Sequence, residues 1–268
     1  MQQSTSEFTF PTVKPRSQEL LYLLLWGADQ LARPTFRNLT DSFESWAYHK
    51  GLPRHLEDLE ARQIIERRPG GAAEAIFRLS ESGRLLALGG RDPAIQWARR
   101  WDGCWRLVLF DLPEAKASAR KQLRRFLQGS GFGYLQNSVW VSPDPLGQIT
   151  QELSAHAEDV ESILTLEARP AAGEPDTDIV TGAWDFKRIN GRYERCREVL
   201  SRLPQVQAKA GPPAEAMHRW AKLERIAWLE AVSADPLLPD SLLPTGYLGK
   251  QVWQERIRTL AEASRLIR

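Results

Sequence analysis

The stretch WRLVLFDLPEAKASARKQLRRFLQGSGFGYLQNSVWVSP, residues 105–143, limits the possible folds more than any other part of the chain. CWRLVLFDL is a short apolar run bounded by turn signals, which predicts a buried strand. Pro113 then suits a first helical turn. Ala119, Leu123, Phe126 and Leu127 follow at helical spacing on one face, and Gly129 and Gly131 end that helix. FGYLQ and SVWVS read as strands joined by a tight polar link. DPLGQITQELSAHAE reads as a second helix and VESILTLEA as a fourth strand. The order β-α-β-β-α-β is that of the split, ferredoxin-like unit.

Upstream, SQELLYLLLWGADQLA predicts a helix capped by Ser17 and closing before Pro34. DSFESWAYH predicts a second, and LPRHLEDLEARQII a third with Leu52, Leu56, Leu59 and Ile64 near one face. IERRPGGAAEAIFRLS reads as a hairpin, and SESGRLLALGG as a closing helix. Three helices and a hairpin make a winged helix-turn-helix, whose third helix enters the major groove while the hairpin lies on the backbone. Any other small α+β domain fits the same pattern. Downstream, PAAGEPDTD reads as a linker. AWDFKRINGRYERCREVLSRL, MHRWAKLERIAWLEAVS and GKQVWQERIRTLAEASRLI read as helices, the last two separated by the three prolines of DPLLPDSLLP. The expected fold class is therefore α+β. It comprises a disordered 1–16, a winged helix-turn-helix domain over 17–96, a ferredoxin-like dimerisation domain over 97–172, and a helical C-terminal domain over 179–268.

The net charge of +2 says less than its distribution. Residues 112–142 carry five basic side chains against Glu114, residues 143–180 carry nine acids and only Arg169, and residues 181–268 carry fifteen basic and ten acidic groups. Such asymmetry fits a partner with phosphates or two surfaces of opposite sign meeting in a dimer. A GC-rich coding sequence accounts equally well for arginine outnumbering lysine, 28 to 8. Two cysteines lack zinc spacing, and four scattered histidines form no metal-ligand pattern. No phosphate loop, serine elbow or Cys/His pairing is present. No catalytic residue, metal or cofactor is expected. The longest apolar run, LLYLLLWGA, is too short to span a bilayer, and no signal peptide is recognisable, so no membrane is expected and the location expected is the cytoplasm.

Several residues stand out as candidates. Arg54 and His55 lie near the start of the third helix and Arg62 two turns on, where base edges are read. Arg67, Arg68 and Arg78 flank the hairpin turn and would hold phosphates of double-stranded DNA. Arg120 and Arg124, with Lys116, form a basic stripe that is either a solvated face or a phosphate-binding one. Asp111, at a strand end before a helix, reads as an anionic cap; its rival role is a metal ligand of a nuclease. Glu57, Asp58 and Glu60 oppose phosphate and leave open a protein-interaction adaptor. The ten tryptophans are expected mainly as core anchors.

WDGCWRLVLFDLPE followed by ARKQLRRFLQGSGFGYLQNSVWVSP resembles the PaaX family of bacterial transcriptional repressors. AWDFKRINGRYERC and ADPLLPDSLLPTGYLGKQVW extend the resemblance, which covers about residues 17–268. Arg54 fits the arginine position of the family's recognition helix, and Leu59 a core position. The resemblance implies the same three parts and a homodimer that represses catabolic operons. It also implies release from DNA on binding an aryl-CoA thioester. Apart from the resemblance, the phosphates of such an acyl-CoA effector would meet Arg120 and Arg124 or the C-terminal arginines. The central domain would be related in fold to the small CRISPR adaptation nuclease subunit, whose metal-binding aspartate corresponds in position to Asp111, without enzymatic activity here.

Overall fold

The computed structural model describes residues 52–69, 75–80, 83, 90–111, 117–147, 149, 153, 162–171, 173–204 and 214–266. The helices expected over 17–33 and 41–49 lie outside the described residues, as does the closing helix after the hairpin apart from Gly83, which is helical. The described chain forms two compact units. One comprises residues 1–92, 194–229 and 251–268, the other residues 93–193 and 230–250. No described helix is long and apolar enough to cross a membrane.

The second unit holds the antiparallel sheet, with β3 (Trp105–Asp111), β4 (Gly133–Gln136), β5 (Val139–Ser142) and β6 (Ser162–Ala168) in the order β4-β5-β3-β6. That order places the third strand between the first two and the first beside the last, as the split β-α-β unit requires. Helix α3 (Ala117–Gly129) lies against one face, because Leu123 and Leu127 fall on its apolar stripe. They close a core with Val108, Phe110, Phe132, Trp140 and Leu153. Leu153 and Ile149 are the described points of the second sheet-covering helix, and both are helical.

Two short helices depart from the sequence reading. Helix α2 (Pro93–Ala98) is only six residues long, too brief for apolar periodicity to reveal. Helix α4 (Asp176–Ala183) begins inside the segment read as a linker. Its first residue accepts a hydrogen bond from the Trp105 indole at 2.7 Å. Gly133 explains how closely α4 approaches the sheet: a Cβ there would lie 2.5 Å from the Trp184 ring and 2.7 Å from Ala183.

The proline-rich segment after helix α6 (Ala214–Ala234) folds into the same unit. Asp235, 1% exposed, accepts from the Tyr193 hydroxyl at 2.5 Å, from the Tyr247 hydroxyl, and from the Leu237 amide at 2.8 Å. Tyr193 lies on helix α5 (Phe186–Leu200). Trp97 of α2 donates to the Tyr247 hydroxyl at 3.0 Å. Three segments distant in sequence are thus joined through one carboxylate.

In the first unit, helix α7 (Gly249–Leu266) carries Arg256, which is 1% exposed. Its guanidinium donates to Glu224 at 2.7 Å and stacks over Trp228 and Trp253 at 4.6 and 5.6 Å from the ring centroids. The flat cation lies against two neighbouring rings, whose centroids are 5.0 Å apart, while one carboxylate balances its charge.

Candidate nucleic-acid interface

The first unit also contains helix α1 (Leu52–Ala61) and the hairpin of β1 (Ile65–Pro69) with β2 (Ala75–Leu79). The junction between them is a capped helix end. The Ile64 amide donates to the Leu59 carbonyl at 2.9 Å and the Gln63 amide to the Glu60 carbonyl at 2.9 Å. Gln63 takes a left-handed φ of 56°. This is the Schellman pattern, and the residues at its two apolar positions, Leu59 and Ile64, are both buried. The chain turns sharply into β1 without a glycine.

The Ile64 carbonyl then holds the far end of the hairpin. It accepts from the Ser80 amide at 3.0 Å and the Ser80 hydroxyl at 2.9 Å. The hydroxyl oxygen in turn accepts from the Gly83 amide at 3.0 Å, as an N-cap serine does. A Cβ on Gly83 would stand 2.1 Å from that same carbonyl oxygen. Overpacking of this kind costs about 1–3 kcal/mol. Gly83→Ala is therefore expected to lower the stability of this unit by that amount, read as a lower midpoint in urea with the slope unchanged.

The junction brings the predicted residues onto adjoining elements, though not into one row. Arg54, Asp58 and Arg62 are spaced four apart, whereas His55 occupies the helix position one turn before buried Leu59. Arg62 is exposed, and its Nε donates to Asp58 at 3.1 Å. Asp58 is half-buried and partners Arg62, so its charge is offset locally. In the hairpin, Glu66 registers with Arg78 and Arg68 with Ile76, while Ile65 registers with Leu79 and Arg67 with Phe77. Strand alternation therefore places Arg68 and Arg78 on one register face and Arg67 on the other, with Ile65. Consecutive arginines in the sequence are thus divided between the two faces.

In the second unit, Arg120 is half-buried and Arg124 exposed on α3. The Arg124 guanidinium lies over the Tyr134 ring, 6.0 Å from its centroid. Tyr134 is 43% exposed and meets Trp140 edge-on at 5.3 Å. The sequence reading missed Tyr134; it shares the register face of buried Trp140 but stands on the edge strand β4, which alternation alone does not distinguish from core. Asp111 is exposed at the end of β3, opposite Ser162 of β6. The helix start it was expected to cap lies outside the described residues. Among the described residues, no group of three His, Cys, Asp or Glu side chains gathers to hold a metal.

Arg106, also in this unit, is engaged structurally. Its guanidinium makes a two-pronged contact with Asp102 at 2.8 and 2.6 Å and reaches Glu167 at 3.2 Å. The hydrogen bond to Asp102 is the main cause holding the guanidinium protonated more firmly than usual. The same contact holds the Asp102 carboxyl below its ordinary range.

Residues 98–180 match the family model described as the PaaX protein central Cas2-like domain, and residues 184–265 match the PaaX-like protein C-terminal domain. Among solved structures, the uncharacterized protein Rv0674 from Mycobacterium tuberculosis is similar, with a TM-score of 0.54 and 22% identity over 93% of this chain and 97% of that one. At that identity the likeness is one of fold. No curated protein matches.

Proposed function

Since the chain belongs to the PaaX family, we propose that it is a transcriptional regulator that binds double-stranded DNA as a homodimer. It represses a catabolic operon and is released by an acyl-CoA effector. The observation that carries this reading is the pair of family matches over 98–180 and 184–265. The helix-to-hairpin junction adds support, because it joins a helix bearing Arg54 to strands bearing Arg67, Arg68 and Arg78.

In this reading Arg54, His55 and Arg62 face base edges, Arg62 exchanging Asp58 for a base acceptor. Arg67, Arg68 and Arg78 hold phosphates. Arg120 and Arg124 receive the phosphates of the effector, and Tyr134, beside Arg124, offers a ring for a planar group to stack on. No catalytic step is assigned to the chain.

Anisotropy titrations of fragments from the operon's promoter, at several salt concentrations, test the reading. Removing one side chain that neutralises a phosphate flattens the dependence of log affinity on log salt by about 0.9. Arg67→Ala with Arg68→Ala should weaken binding to all sequences alike and flatten the slope by about 1.8. An unchanged slope removes the hairpin from the interface, and a wild-type protein that ignores every such fragment at low salt removes the reading.

A further inference from the structure

Residues 115–143 hold no aspartate or glutamate, yet Lys116, Arg120, Lys121, Arg124 and Arg125 fall within them. Helix α3 carries the last four. Lys121, Arg124 and Arg125 are exposed, and none of the three is drawn into an ion pair among the described residues. Arg120 with Arg124, and Lys121 with Arg125, stand four apart, a spacing at which like charges repel. An anion seated over them relieves that repulsion.

Beside these cations an aromatic ring faces solvent. Tyr134 registers with Trp140, which belongs to the core under α3, so its ring lies on the α3 side of the sheet. Strand β4 is the edge of that sheet, and the ring is exposed there. The Arg124 guanidinium lies over the ring and Trp140 meets it edge-on. Gln136 and Asn137 follow, both exposed, and bring planar amides that can donate and accept.

Cations and an open ring together select the ligand. Inorganic phosphate would meet the cations but leave the ring unused. A duplex keeps its base faces in the stack and offers only their edges in its grooves, so it cannot stack on Tyr134. A single strand can, but strand-binding grooves track several nucleotides. From Arg120 to Arg125 the helix rises only about 7.5 Å, the reach of one nucleotide with its phosphates.

We infer that Tyr134 and the Arg124 side of α3 form a site for a single nucleotide, its base stacked on the Tyr134 ring and its phosphates held by Arg124 and the cations beside it. The regulatory consequence rests on reading the protein as a regulator released by an acyl-CoA. The site then takes the nucleotide end of that effector, which is the same in free and acylated CoA. It anchors the effector without choosing its acyl group, and unacylated CoA competes for it. The regulator answers to the ratio of acylated to free CoA rather than to acyl-CoA alone.

Isothermal titration of the full chain with ADP, without DNA, tests the site. The wild type should bind ADP, and bind adenosine or pyrophosphate alone far more weakly. Tyr134→Ala should weaken ADP binding about tenfold, the loss of one base–aromatic stack, whereas Tyr134→Phe keeps the ring and should bind as the wild type does. Arg124→Glu, at an exposed helical position, should abolish binding, and it decides if Tyr134→Ala does not fold. Free CoA should displace ADP and raise the acyl-CoA concentration needed to release promoter DNA. A wild type that does not bind ADP overturns the proposal, as does a folded Tyr134→Ala or Arg124→Glu variant that binds it undiminished. Tighter binding of a single-stranded oligonucleotide than of ADP, or free CoA without effect on ADP, also overturns it. ADP binding that meets every expectation, with DNA indifferent to a panel of acyl-CoAs, would sink the effector reading alone. Release by an acyl-CoA that neither Tyr134→Ala nor Arg124→Glu alters would sink this proposal alone.

Discussion

Arg256→Ala should destabilise the protein by about 3–5 kcal/mol, the cost typical of leaving one member of a buried ion pair alone. Glu224 is 0% exposed, and its Oε1 accepts from Arg256 at 2.7 Å. Burial already pushes the Glu224 carboxyl up, against the opposing pull of Arg256. With the guanidinium gone, burial acts unopposed by that partner. The sign of the pH dependence follows. Above the ordinary carboxyl pKa of 4.5 the unfolded Glu224 ionises freely, while the folded one resists. Both proteins lose stability alike until the pH reaches the wild type's folded pKa, itself above 4.5; the gap widens from there to the variant's still higher folded pKa, and narrows again on acidification. Urea melts at pH 5 and pH 7.5 would reveal this. Replacing both partners, Glu224→Leu with Arg256→Met, should cost far less than the single change. A single variant as stable as the wild type would mean that water reaches this pair.

A loss of on the order of 3 kcal/mol or more is expected for Asp235→Ala. The substitution strands the Tyr193 hydroxyl, the Tyr247 hydroxyl and the Leu237 amide, each a donor to the missing carboxylate. An unsatisfied buried polar group costs about 1–3 kcal/mol. Asp235→Asn retains an amide oxygen as acceptor and should lose less. The same site has an alkaline signature. Burial is the leading cause pushing both tyrosines far above the ordinary value of 10.0, with Asp235 adding to it. Folded Tyr193 and Tyr247 thus keep protons that the unfolded chain releases, so stability declines as the pH climbs past about 10. A titration followed at 295 nm should show these two of the five tyrosines ionising only on unfolding. If all five ionise in the folded state, Asp235 is not buried as described.

The elements legible in the sequence are those whose own spacing carries their burial. β3 is one apolar run, and α3 repeats Leu123 and Leu127 at helical spacing, so both are found where expected. The order of the four strands is also that of the split unit expected from their sequence. Trp105, Trp140, Trp184, Trp220 and Trp228 are buried, as core anchors should be. What escaped depends on distant partners. Asp176 looked like a linker residue because its role, accepting from Trp105, is fixed 71 positions away. Nothing near Asp235 announces that Tyr193 and Tyr247 will converge on it. In the candidate site, the hairpin was legible from the Pro-Gly-Gly turn between two strand-like runs. The division of Arg67 from Arg68 emerges only once the register is known, and the neutralising of Asp58 by Arg62 only once the helix is built.

The doubly used carbonyl of Ile64 fastens the end of the hairpin to the residue that closes the α1 C-terminus. In the regulator proposed above, a change at this joint would disturb helix and hairpin together. New operator preferences would then have to arise from the side chains along α1, with that joint left untouched.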